Sequence, residues 1–175
     1  MQFLPTEIDG VVIVELEPRG DDRGFFARAF CQVEFAEAGL VSPLEQANLA
    51  YTQQAGTVRG IHWQEGEAAE AKFTRCLSGS IVDVAVDVRP DSPTYLQHVM
   101  VELSAENRRA LYIAPGLARA YQTLEADTEV FYQVSAPYTP AAERGLRPTD
   151  PALGIEWPHE ITELSDKDAS WDLLD

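Results

Sequence analysis

The chain has 175 residues, 45% of them apolar, which predicts one domain spanning residues 1–175 with a sizeable core. Its 29 acidic and 13 basic residues give a formal charge of −16, a field that repels polynucleotides and anionic membranes and disfavours both as partners. No window approaches the roughly 20 apolar residues of a membrane span, and the N-terminal MQFLPTEIDG lacks the basic and apolar regions of a signal peptide. The two cysteines, Cys31 and Cys76, lie in apolar stretches without CxxC or Cys/His spacing. They read as reduced thiols of a cytoplasmic protein.

The dominant hydrophobic period is two. Gly10–Glu17 (GVVIVELE) reads as a strand that leaves through the turn Pro18-Arg19-Gly20-Asp21. Val33–Ala38 reads as a short helix closed by Gly39. In Ser80–Val88, Val82, Val84, Val86 and Val88 share one face, while Ile81, Asp83, Ala85 and Asp87 share the other. Two carboxylates among small residues predict that this second face lines a polar cavity. His98–Leu103, Arg109–Ile113 and Glu129–Val134 are further strands. A last helix is expected within Ser165–Leu174, capped by Ser165. Turn signals at 78–79, 89–93, 114–116 and 137–140 divide these runs. Many short strands at close spacing predict an all-β sandwich or barrel.

Histidine is scarce, with three present: His62, His98 and His159. No HxH, HxxxH or HExxH pattern exists, so no metal site is expected. GxSxG, Walker and GxGxxG motifs are also missing, so no nucleotide cofactor is announced. His98 and His159 read as ordinary core or surface groups. His62 stands apart because Arg59, Gly60, Trp63 and Gln64 surround it.

A series of ordered blocks then resembles a known family. They include Asp21-Asp22-Arg23-Gly24-Phe25-Phe26, Gln46-Ala47-Asn48, Val58-Arg59-Gly60-Ile61-His62-Trp63-Gln64, Lys72-Phe73-Thr74-Arg75, Gly79–Arg89, Ser92-Pro93-Thr94, Glu129-Val130-Phe131-Tyr132, Asp150–Pro158 and Ser165-Asp166-Lys167-Asp168. The chain resembles the dTDP-4-dehydrorhamnose 3,5-epimerases, cupin-type enzymes, through nearly its whole length. The resemblance implies a double-stranded β-helix (jelly-roll) barrel, usually a homodimer, acting without cofactor on a dTDP-linked 4-keto-6-deoxy sugar. It implies His62 as base, Asp168 as the partner of its other nitrogen, Lys72 as enolate stabiliser and Tyr132 as acid on the opposite face. Asp83 would orient Lys72 or the sugar. Arg23 and Arg59 would contact the diphosphate, Phe26, Gln46 and Asn48 would frame the nucleotide, and Tyr138 could stack on the base.

The sequence departs from that pattern at four places. Arg28 stands where the family has a glutamate, Ala50 where it has a serine, and Pro148 near a position where tryptophan is usual. In Gly116-Leu117-Ala118-Arg119-Ala120-Tyr121, Arg119 replaces a second histidine and brings charge and bulk to the substrate-binding region. These changes leave the proton-transfer set intact and predict a divergent member, acting at one carbon or on a different nucleotide sugar. A 3,4-ketoisomerase, a non-catalytic sugar-nucleotide binder and a metal-dependent cupin are the alternatives.

Overall fold

The computed structural model describes residues 1–42 and 45–174. Thirteen strands follow one another: β1 (Gln2–Pro5), β2 (Val11–Glu15), β3 (Arg19–Asp21), β4 (Gly24–Phe26), β5 (Gln46–Thr52), β6 (Val58–Gln64), β7 (Lys72–Ser78), β8 (Ser80–Asp87), β9 (His98–Ser104), β10 (Ala110–Ile113), β11 (Leu117–Thr123), β12 (Thr128–Val134) and β13 (Glu143–Gly145). Helix α1 (Gln32–Glu37) and helix α2 (Asp166–Ala169) complete the framework. The strands form antiparallel sheets in the orders β1-β2-β10-β7-β12-β5 and β13-β6-β11-β8-β9, with β3 and β4 as a separate hairpin. Most neighbours in a sheet are distant in sequence, as in the expected jelly roll.

The main core lies between the sheets. Val11, Cys76, Leu111, Ile113 and Val130 from one sheet meet Ile81, Ala85, Val101, Leu103, Leu117 and Tyr121 from the other. Each sheet is also covered outside. Phe35 of α1 packs on Val14, Phe73, Ala110 and Tyr112. The C-terminal segment lays Leu153, Ile155, Trp157 and Leu174 over Ile61, Val84, Val86, Ala118 and Ala120.

This double coverage corrects the reading of β8. It is an interior strand, between β11 and β9, and buried along its whole length, so its acidic face does not line a cavity. Asp83 is wholly buried behind Arg119. Asp87 closes the strand by accepting hydrogen bonds from Arg89 Nε (2.8 Å) and Nη2 (2.7 Å), Ser92 Oγ (2.6 Å) and Thr94 Oγ1 (2.6 Å). Helix α1 has the expected length and starts one residue earlier, α2 fills only the first part of its expected span, and Ser165 caps α2 by accepting from Asp168 N.

Burial pushes the Asp87 carboxyl up, but the donors from Arg89, Ser92 and Thr94 outweigh it and hold the group well below the usual carboxylate range. The folded state therefore has the lower pKa. Asp87 stabilises the fold above the ordinary carboxylate pKa, and that contribution is lost as pH falls through about 4 and below. Asp87→Asn is expected to lower stability by about 2 kcal/mol at pH 7. In urea titrations at fixed protein concentration, the gap to wild type should narrow toward pH ~3.

Candidate active site

The site begins with one extra residue in β6. Arg59 and His62 are three apart, which in a regular strand puts them on opposite faces. Arg119 pairs with His62, and Tyr121 pairs with Arg59, so β11 advances two residues while β6 advances three. This is the arithmetic of a β-bulge, and it turns both side chains into one cavity. Gly60 makes the bulge possible. Its φ is +114°, and a Cβ there would lie 2.6 Å from the Arg119 carbonyl oxygen and 2.7 Å from Ala120 Cα.

The cavity encloses about 410 Å³ and is lined in part by Ala50, Arg59, His62, Lys72, Arg119 and Tyr132. A second lobe of about 340 Å³ shares His62, Lys72 and Tyr132 and continues past Gln46, Asn48 and Tyr138. The two sheets supply facing walls. His62, Arg59 and Arg119 come from β6 and β11, whereas Lys72, Tyr132, Gln46 and Asn48 come from β7, β12 and β5.

His62 Nε2 lies 2.5 Å from Asp168 Oδ1. Asp168 is buried, and its Oδ2 also accepts from Gly60 N at 3.4 Å. Burial raises the Asp168 carboxyl, but the bond to His62, with help from Ser165 and Gly60, brings it below its ordinary value. A carboxylate accepts only, so Nε2 carries the proton and Nδ1 keeps its lone pair. Among the described residues Nδ1 has no protein partner.

Lys72 forms an ion pair with Glu70, and Glu70 itself lines the second lobe. Burial pushes the Lys72 ammonium down, against the opposing pull of Glu70. Asp83 therefore does not orient Lys72; the lysine's carboxylate is Glu70. Asp83 instead accepts from Arg119 Nε at 2.7 Å. Arg59 donates to Thr52 Oγ1 at 3.2 Å and takes part in no ion pair among the described residues. Gln46 donates to Asn48 at 2.8 Å, and Tyr138 donates to Glu143 at 3.0 Å. Glu143 also holds Lys167 at 2.6 Å.

Arg23 and Phe26 stand apart from this cavity. They sit on the β3–β4 hairpin, with the Arg23 side chain 89% exposed and paired to Asp21, and Phe26 73% exposed. Arg28 pairs with Glu34 outside the cavity as well. Glu70, Glu143 and Lys167 were missed by the sequence reading. Only Glu70 left a clear signal, a carboxylate two residues before Lys72 and so able to meet it on one side of extended backbone.

The profile of one protein family, described as dTDP-4-dehydrorhamnose 3,5-epimerase, matches residues 5–175. A dTDP-4-dehydrorhamnose 3,5-epimerase of Sinorhizobium fredii is 43% identical, over 97% of this chain and 88% of its own. The crystal structure of a dTDP-4-dehydrorhamnose 3,5-epimerase from Bacillus anthracis, with TDP and PPi bound, superposes with a TM-score of 0.94 at 36% identity, covering 99% of both chains. That of a dTDP-6-deoxy-D-glucose-3,5-epimerase from Legionella pneumophila, in complex with dTDP-4-keto-L-rhamnose, gives a TM-score of 0.91 at 37% identity, covering 98% of this chain and 92% of that one. With its jelly-roll barrel and a His–Asp pair inside it, this chain belongs to the dTDP-4-dehydrorhamnose 3,5-epimerase family and is an isomerase acting on sugars.

Proposed function

We propose that the cavity inverts carbon centres beside the ketone of a dTDP-linked 4-keto-6-deoxyhexose, with His62 as base and Tyr132 as acid. One observation carries this assignment of roles: His62 and Tyr132 line the same cavity from opposite sheets. A sugar ring between those walls loses a proton from one face and regains one on the other, which is what inversion requires.

Nδ1 of His62 takes the proton from the carbon next to C4. The C–H electron pair becomes a C=C bond, and the carbonyl π pair moves onto the C4 oxygen. Asp168 stabilises the resulting imidazolium and keeps its ring oriented. Lys72 offers positive charge to the enolate oxygen. The oxygen pair then reforms the C4 carbonyl as the Tyr132 hydroxyl delivers a proton to the opposite face of the carbon; the phenolate is reprotonated from solvent, and the imidazolium releases its proton there. Arg59, without a carboxylate partner among the described residues, is suited to a diphosphate. Gln46, Asn48 and Tyr138 give the adjoining lobe the polar and aromatic lining a nucleoside needs.

The protein acts as a homodimer in this reading. The hairpin carries Arg23, Phe25 and Phe26 into solvent, and the edge strand β5 exposes Leu49 and Tyr51. A second copy would cover such apolar surface, and the hairpin of one protomer would bring Arg23 and Phe26 to the nucleotide lobe of the other. Cytoplasmic residence agrees with the two free cysteines.

His62→Ala is expected to lower kcat by about 10³-fold, abolish deuterium incorporation from D₂O, and leave dTDP affinity within twofold by calorimetry. Asp168→Asn should cost about 10²-fold in kcat, because an amide can present the wrong partner to Nε2. Wild-type enzyme that exchanges no C3 or C5 hydrogen of dTDP-4-keto-6-deoxyglucose would overturn the reading, and a carbonyl moved to C3 would identify a ketoisomerase instead. Light scattering should give twice the chain mass. The double variant Arg23→Ala/Phe26→Ala should raise KM about tenfold or more while kcat stays within threefold, as loss of uniform binding does.

A further inference from the structure

Arg119 is a cation in an unusual setting. It is 7% exposed, and its only protein acceptor among the described residues is Asp83 Oδ1, reached by Nε at 2.7 Å. A guanidinium has five N–H donors; here one is committed, and among the described residues Nη2 is buried without a partner. The group is held from several sides. Asp83 fixes it from behind, its guanidinium carbon lies 5.0 Å from the Tyr121 ring centroid and 5.6 Å from that of Tyr132, and its backbone pairs with His62. Protein surrounds the side chain except where it lines the cavity, so a ligand meets the guanidinium through that opening.

The two ion pairs beside the cavity differ in orientation. Glu70 lines the same lobe as Lys72, so a ligand there meets both charges of the pair. Asp83 is completely buried, and only its arginine reaches the cavity. The Arg119–Asp83 dipole therefore presents its positive end alone to the ligand. A guanidinium also stays charged at any working pH, whereas burial pushes the Lys72 ammonium down.

Resting on the function proposed above, we propose that Arg119 is the principal oxyanion donor of this enzyme, hydrogen-bonding the C4 oxygen as the enolate forms. No proton leaves the guanidinium in this step. His62 takes the carbon-bound proton, the displaced electron pair settles on the C4 oxygen, and Arg119 stabilises that charge by donation. An already oriented donor in a walled cavity needs little reorganisation when the charge appears, which favours the transition state over bound substrate.

The test compares wild type, Arg119→Met and Arg119→Lys with dTDP-4-keto-6-deoxyglucose. It reads kcat, KM, deuterium incorporation at C3 and C5, and dTDP affinity by calorimetry. Because Arg119→Met leaves the Asp83 carboxylate buried alone, the double variant Asp83→Asn/Arg119→Met is measured beside it, with thermal unfolding of each. The expected result is a fall in kcat and in deuterium incorporation of about 10²- to 10³-fold for the methionine variants, with dTDP affinity within twofold, and recovery of tenfold or more in Arg119→Lys. Wild-type exchange together with a folded double variant whose kcat stays within threefold, or whose loss lies in KM alone, would overturn this role for Arg119 and leave the epimerase reading standing. So would an Arg119→Lys variant no faster than Arg119→Met. Wild-type enzyme without any exchange would overturn the epimerase reading itself.

Discussion

The cavity wall that carries His62 depends on a parity change in β6. A regular strand shows its side chains to alternate faces, so Arg59 and His62 could not share a wall. In the bulge Gly60 and Ile61 together face Ala120 of β11, and the additional residue restores the two side chains to one side. The backbones approach so closely there that no side chain fits between them. A one-residue change of register reassigns every side chain beyond it. His62 reaches Asp168, and Arg59 joins it on the cavity wall, because this shift is located between them.

The same bulge shows why parts of the fold were hidden from sequence reasoning. Alternation in β8, β9 and β12 and short apolar runs in β2 and β10 make these segments legible as strands within a residue or two at their ends. β6 breaks the alternation at the bulge. β11 is buried along its length yet carries Arg119, Gln122 and Thr123, so its pattern is neither an apolar run nor an alternating one. β5 presents Ala47, Leu49 and Tyr51 outward, apolar residues on the exposed side, which inverts the usual rule. In each case a functional cavity or an exposed apolar edge overrides the simple in-and-out pattern.

The site shows a similar division. The short His62–Asp168 bond joins residues 106 apart in sequence, and no local pattern could announce it; family resemblance placed those two together. The resemblance did not carry over the partners of the charged residues. The resemblance pairs Asp83 with Lys72 or the sugar, but the fold seats it behind Arg119 and gives Lys72 to Glu70. Arg23 and Phe26 are far from the cavity of their own chain because a hairpin attached to neither main sheet carries them. Ion-pair partners follow from burial and register, which sequence spacing alone does not encode.

In the proposed mechanism His62 and Tyr132 act from different sheets, which makes the distance between those sheets a chemical dimension of the active site. Ile81, Leu103, Leu111, Ile113 and Val130 fill the space between them. Interiors are packed at nearly crystalline density and yield little to compression, so these side chains act as a spacer that sets the gap across which a sugar ring must fit. A methylene removed from that spacer, well away from any reacting atom, would let the walls settle closer or leave them less sharply defined. The apolar core thus serves as the gauge of the reaction as well as the ballast of the fold.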